Sequence, residues 1–80
     1  AMIIKICSAG GYARYVEVDS FTKQRLANGA WDISGSLNGR DQGRFLVGPD
    51  EFVGEGDNRV HIDGSVAYIM DHGKTVDTLR

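Results

Sequence analysis

Both histidines of this 80-residue chain lie in its C-terminal quarter, RVHIDGSVAYIMDHGKTVDTLR, and each is close to an aspartate. His61 is two residues before Asp63, and His72 directly follows Asp71. Imidazole and carboxylate groups are common zinc ligands, and a carboxylate beside an imidazole can also support proton transfer. The segment therefore suggests two kinds of chemistry, a metal site and an acid–base site.

Turn signals in the same segment argue against a metal site. Gly64-Ser65 and His72-Gly73 are both suitable two-residue hairpin loops, so the segment is predicted to form three strands, RVHID, VAYIM and TVDTL. His61 and Asp63 would then be about 7 Å apart along one strand, with His72 in a distant turn. A closed zinc site needs four ligands at about 2 Å. We therefore expect neither a metal nor a cofactor.

The predicted pairing of these strands places His61, Tyr68 and Asp77 in one row across the outer face, with Leu79 on that face as well. The opposite face is predicted to be the core side, formed by Val60, Ile62, Ala67, Ile69, Val76 and Thr78. A neighbouring carboxylate favours the charged imidazole. This row is the candidate catalytic set of a small acid–base or metal-dependent enzyme. An open sheet face lacks the cleft of an active site, which favours a polar cluster that supports the sheet.

The N-terminal segments MIIKICS and YARYVEVD flank Ala9-Gly10-Gly11 and predict a hairpin with a three-residue loop. This loop pairs Ile4 with Val16 and Ile6 with Arg14. It also separates a core face from an outer face. The core face contains Met2, Ile4, Ile6, Val16 and Val18, and the outer face contains Lys5, Tyr15 and Glu17.

A helix is predicted over DSFTKQRLANG. Asp19 or Ser20 can cap its N-terminus, and Gly29 fits the left-handed position after its last turn. Phe21 and Leu26 give a weak apolar stripe. A helix of about two turns is unstable alone, so we expect it to pack on the sheet.

The rest of the chain predicts more strands. They cover Ala30–Ser36 and Arg44–Gly48, with a turn at Asn38-Gly39 and one helical turn in PDEF, residues 49–52. The expected fold class is α+β, a mostly antiparallel twisted sheet in the order ββα and then about five short strands, with one short helix packed on it. Residues 1–80 are expected to form a single compact domain, with Ala1 a remnant of expression.

Charge and cysteine content indicate the setting and the type of partner. Eleven acidic and nine basic residues give a net charge of −2, which disfavours nucleic acid as a partner. The chain contains no apolar run long enough to cross a membrane. The single cysteine, Cys7, favours a reducing, cytoplasmic location.

The expected function is non-enzymatic binding or inhibition through protein–protein contact, in the manner of phage- or mobile-element-encoded inhibitors of larger host complexes. Exposed tyrosines are frequent in protein interfaces, and an acidic segment can attract a basic partner. The candidate partner-binding residues are Tyr12, Tyr15, Tyr68, Asp50, Glu51, Glu55 and Asp57. A homodimeric structural subunit is a further alternative.

Overall fold

Strands make up nearly the whole fold of the computed structural model, which describes residues 1–62 and 64–80 together with all their side chains except that of Ile62. The strands of this described part are β1 Met2–Ser8, β2 Ala13–Val18, β3 Ser20–Arg25, β4 Trp31–Leu37, β5 Arg40–Val47, β6 Glu51–Val53, β7 Val60–Ile62, β8 Ser65–Asp71 and β9 Lys74–Leu79. One short 3-10 turn, Gly56–Asn58, connects β6 and β7. The α+β prediction is therefore wrong, whereas the predicted antiparallel character of the sheets is confirmed.

Two sheets face each other around the core. The four-stranded sheet has the order β2-β1-β8-β9, and the three-stranded sheet has the order β3-β4-β5. Strands β6 and β7 pair only with each other. We call residues 49–62, which contain these two strands, the arm. The core between the sheets is formed by Ile4, Val16, Val18, Ile33, Phe45, Val47, Ala67, Ile69 and Leu79.

The first hairpin has the predicted register. Ile4 pairs with Val16, and Ile6 pairs with Arg14. The Ser8 N–H donates to the Tyr12 carbonyl at 2.9 Å and closes the three-residue loop. The odd loop therefore directs the β1 and β2 core residues to the same side, as the alternation of apolar residues requires.

The predicted helix is wrong, because residues 20–25 form the edge strand β3. Strand β3 pairs along its whole length with β4, and Phe21 lies opposite Gly35 and packs against the core. The expected capping signals serve hairpin loops instead. Asp19 Oδ2 accepts from the Asn38 N–H at 2.7 Å, and Gly29 adopts a φ of +88° in the β3–β4 loop. A strand partner supplies hydrogen bonds that a two-turn helix could not match.

The predicted pairing of RVHID with VAYIM is also wrong. Strand β7 pairs with β6, whereas β8 lies between β1 and β9 in the four-stranded sheet. Ser65 is consequently the first residue of β8 and not part of a turn. PDEF does not form a helical turn either, since Glu51–Val53 is strand β6. Predictions that involve Asp63 or the Ile62 side chain lie outside the described residues.

The β8–β9 hairpin has the predicted His72-Gly73 turn, with φ values of 50° and 77°. Its register shifts between Ile69 and Met70, where Val76 is the extra residue of β9, so that Ile69 pairs with Asp77 and Ala67 pairs with Leu79. The prediction therefore exchanged inward-facing and outward-facing residues in the C-terminal part of β9. Leu79 is buried in the core, whereas Val76 is 60% exposed. A β-bulge changes which side chains face inward without any change in the turn.

Polar and aromatic contacts connect the edges of the two sheets. Lys23 Nζ of β3 lies 2.6 Å from Asp77 Oδ2 of β9. The Lys23 ammonium and the Arg25 guanidinium also lie over the Trp31 ring, 5.4 and 4.3 Å from its centroid. At the other edge, the Arg14 guanidinium lies 4.9 Å from the Phe45 ring centroid. The charged groups of these side chains cover aromatic surface at the margins of the small core.

Candidate functional site

The arm is the part of the molecule with the least intramolecular support. Every residue from 49 to 61 is exposed, and β6 and β7 contain three residues each. A two-stranded hairpin is at best marginally stable alone in water. The longest dimension of the whole molecule is 47 Å, about twice the next, 23 Å. The arm therefore presents extended backbone and side chains to solvent.

Apolar side chains occupy both faces of the arm. Phe52 pairs with His61, and Val53 pairs with Val60. Phe52, Val53 and Val60 are 65%, 48% and 59% exposed, respectively. The Arg59 guanidinium lies 5.4 Å from the Phe52 ring centroid and partly covers one face. Clustered exposed apolar residues with a polar surround are typical of interaction surfaces.

The acidic candidates lie on the same arm. Glu51 belongs to β6, and Glu55 precedes the 3-10 turn that contains Asp57. The Glu55 side chain is exposed and makes no capping hydrogen bond to this turn. The arm thus combines exposed apolar side chains with negative charge.

Asp50 differs from the other acidic candidates because it supports the base of the arm. Its Oδ1 accepts a hydrogen bond from the Gly64 N–H, and its Oδ2 lies 3.5 Å from His61 Nε2. The Ser65 N–H donates to the Gly48 carbonyl at 2.8 Å and closes the base on the other side. These contacts fix the direction in which the arm leaves the sheets.

The tip of the arm has a defined backbone shape. Gly54 has a φ of 109°, and a Cβ at this position would overlap the Asn58 carbonyl oxygen. The Asn58 N–H donates to the Glu55 carbonyl at 3.0 Å. Glycine is therefore required at position 54, where it brings the two strands together.

Tyr15 and Tyr68 lie together on the outer face of the four-stranded sheet, one on each side of Lys5. Lys5 of β1 pairs with Tyr15 of β2 and with Tyr68 of β8. The Lys5 ammonium is 5.7 Å from the Tyr15 ring centroid. We call this the tyrosine face; its members are Ile3, Lys5, Cys7, Tyr15, Glu17, Val66, Tyr68 and Met70. Tyr12 lies apart from it, exposed at the β1–β2 loop.

The candidate catalytic residues do not form the predicted row. His61 belongs to the arm and stacks on Phe52, with ring centroids 5.1 Å apart. Tyr68 faces outward, whereas Asp77 pairs with the core residue Ile69 and binds Lys23. This strand arrangement gives the enzyme hypothesis no shared acid–base constellation.

The other side-chain clusters and concave regions of the described residues contain few reactive or metal-binding groups. Within residues 1–62 and 64–80, no group of three or more His, Cys, Asp or Glu residues could hold a metal ion. Cys7 has a free thiol and lines a depression of about 350 Å³ near the base of the arm. No helix in the described part of the chain has the length and apolar character to span a membrane.

A polar cleft of about 550 Å³ lies on the outer face of the three-stranded sheet, and four hydroxyl side chains contribute to it, Ser20, Thr22, Ser34 and Ser36. Arg44 at its margin donates two hydrogen bonds to Asp32, at 2.7 and 2.6 Å. These hydrogen bonds and the Arg44 charge lower the pKa of Asp32. Because the guanidinium is already neutralised, the cleft has no evident preference for an anion.

Sequence reasoning identified the acidic residues of the arm but missed its apolar component. Phe52, Val53 and Val60 lie in short strands that flank the glycine- and acid-rich tip GEGDN. That arrangement is the available signal for an exposed hairpin. We compared the chain with protein-family models, curated proteins and solved structures, and none of the three comparisons finds a match.

Proposed function

We propose that this protein is a non-enzymatic binding protein whose arm docks on the basic surface of a larger protein. The observation that carries the proposal is the coincidence of exposed apolar side chains and carboxylates on one projecting hairpin. Phe52, Val53 and Val60 provide contact area, and Glu55 and Asp57 provide long-range attraction.

The proposed binding mode is inhibitory. An arm that occupies a basic surface blocks other molecules that bind to that surface, including acidic segments of a larger complex. Cys7 is a free cysteine, which supports a reducing, cytoplasmic setting for this activity. The unpaired backbone edges of so short a hairpin can also add to a partner's sheet.

Charge reversal tests the proposal. The wild-type chain and the variant Glu51→Lys/Glu55→Lys/Asp57→Lys are used as baits in extracts of the source cells. We expect the wild type to retain a protein with a basic surface and the triple variant to lose it. Retention should also fall as salt concentration rises, because exposed charges are screened.

A matched pair of single variants distinguishes the effect of the arm's charge from that of the net charge of the protein. Glu55→Lys at the arm tip and Asp71→Lys at the end of β8 change the net charge equally. Glu55→Lys should weaken retention, and Asp71→Lys should leave it close to wild type. Equal retention by the wild type and the triple variant would refute the arm as the binding element.

A further inference from the structure

The tyrosine face is a second exposed surface, separate from the arm. Its outward position follows from strand alternation, since Ile4, Val16 and Ile69 of the same strands face the core. Ile3 and Tyr15 are exposed on this face, while Cys7, Tyr68 and Met70 are half-buried against their neighbours. The face is largely apolar and aromatic, which is unusual for a solvated side of an antiparallel sheet.

The charges on the tyrosine face are balanced. Lys5 and Glu17 are its charged members, and they lie on adjacent strands in successive rows. Lys5 pairs with Tyr15, and Glu17 pairs with Ile3. A surface with one cation and one anion at offset positions can be complementary to itself. The net negative charge of the arm does not extend onto it.

We propose that the tyrosine face binds the same face of a second copy of this chain. A two-fold axis that crosses the strands between the Lys5 row and the Glu17 row makes the two sheets antiparallel. In projection onto the sheets, each Lys5 is then offset by one strand spacing, about 4.8 Å, from Glu17 of the other copy, and the two long side chains meet in the space of about 10 Å between the sheets. Tyr68 of one copy meets Met70 of the other by the same operation.

The size of the face indicates a weak dimer. The three strands that form this face, about 4.8 Å apart and about seven residues long at about 3.3 Å each, cover roughly 330 Å² on each copy. Stable specific interfaces bury about 800 Å² per partner, and smaller ones are transient. Dimerisation is therefore expected to depend strongly on concentration, with a dissociation constant between micromolar and millimolar.

The dimer would display two arms. The base of the arm lies beside Cys7 and Val66, at one end of the tyrosine face. An antiparallel dimer places the two bases at opposite ends, so each copy can engage a separate site on a partner. Two linked binding elements gain affinity without any new contact. This inference does not depend on the arm proposal, because the dimer forms through different residues.

Sedimentation equilibrium over a wide concentration range tests the dimer. The wild-type mass should rise from 8.7 kDa toward twice that value. Lys5→Glu and Glu17→Lys should each weaken association at least about tenfold, because like charges then face each other. The double variant Lys5→Glu/Glu17→Lys should recover association. Lys74→Glu, at the β8–β9 turn and off this face, is the control and should behave as wild type.

Three outcomes would overturn the dimer proposal. The first is a constant monomer mass at every concentration, and the second is failure of the double variant to recover association. The third is binding of a mixed-sequence single-stranded oligonucleotide, measured by fluorescence anisotropy and abolished by Lys5→Glu, which would assign the face to nucleic acid. Circular dichroism of each variant verifies that the fold is intact.

Discussion

Phe52 and His61 stack across the two strands of the arm, with ring centroids 5.1 Å apart and ring planes inclined by 32°. Both residues are exposed, and neither belongs to the core of the two sheets. An aromatic side chain that contributes little to folding but presents a large rigid surface is a typical interface anchor. Under the proposed function, Phe52 would therefore contribute to binding and little to folding.

Phe52→Ala should therefore weaken partner binding far more than it weakens the fold. We expect a loss of about 2 kcal/mol or more in binding, roughly 30-fold in Kd. The free energy of unfolding should change by no more than about 0.5 kcal/mol, as for most surface substitutions. Titration calorimetry with the captured partner and urea denaturation measure the two effects.

Leu46→Ala is the matched control for Phe52→Ala. Leu46 has 59% exposure, similar to that of Phe52, but lies on the outer face of the three-stranded sheet. Its truncation should leave partner binding unchanged. An equal loss of affinity in both variants would show that the arm has no special role.

Gly35→Ala should destabilise the protein by overpacking the core. A Cβ at position 35 would lie 2.5 Å from Val18 Cγ1, which belongs to the opposite sheet. We expect a loss of about 1–3 kcal/mol, with about 4–8 °C in Tm for each kcal/mol. In Gly10→Ala, the added Cβ meets only the Tyr12 side chain, and this control should be near neutral. Equal melting curves would contradict the close sheet contact.

Acid should destabilise the fold through two ion pairs. Hydrogen bonds from Lys23 and Arg44 lower the pKa of Asp77 and Asp32, respectively, from the ordinary value of 3.8. Because these pKa values are lower in the folded state, their stabilisation is present above pH 3.8 and is lost as pH falls through the folded pKa values. Thermal melting between neutral pH and about pH 2 should show this decline.

The double variant Asp32→Asn/Asp77→Asn isolates this contribution. It should melt below the wild type at neutral pH, and the two Tm curves should converge in acid, where the wild-type carboxyls are protonated. Parallel curves across the whole pH range would exclude these two pairs as the source of acid sensitivity.

The β8–β9 turn can be improved at His72. This residue has a φ of 50° beside Gly73, as a two-residue hairpin turn of this hand requires. His72→Asn should raise the free energy of unfolding by a few tenths of a kcal/mol, whereas His72→Val should lower it by about 1–2 kcal/mol. Thr75→Val, in the adjacent strand, controls for the added apolar surface. Urea denaturation that ranks Val above Asn at position 72 would contradict this backbone geometry.

Local signals were sufficient for the first hairpin. The β1–β2 register followed from the alternation of apolar residues and from the parity of one glycine loop. The same kind of signal failed at residues 19–29, because Asp19 and Gly29 suit a hairpin loop as well as a helix terminus. Pairing with β4, which local sequence patterns do not reveal, makes this segment a strand and not a helix.

Long-range pairing and bulges explain the other errors. The placement of β8 beside β1 depends on contacts between residues more than 50 positions apart, such as Lys5 with Tyr68. No glycine or proline lies at the register shift around Val76, so the sequence has no local signal for this bulge. At the candidate site, the negative charge of the arm could be predicted from composition. Its apolar faces became evident only once β6 was paired with β7.

Site-specific photo-crosslinking tests most directly whether the arm contacts a partner. A benzophenone amino acid replaces either Phe52 on the arm or Leu46 on the three-stranded sheet, and intact source cells are irradiated. We expect a covalent adduct with a basic-surfaced protein from position 52 and none from position 46. Adducts from position 46 alone, or no adduct from position 52, would contradict it.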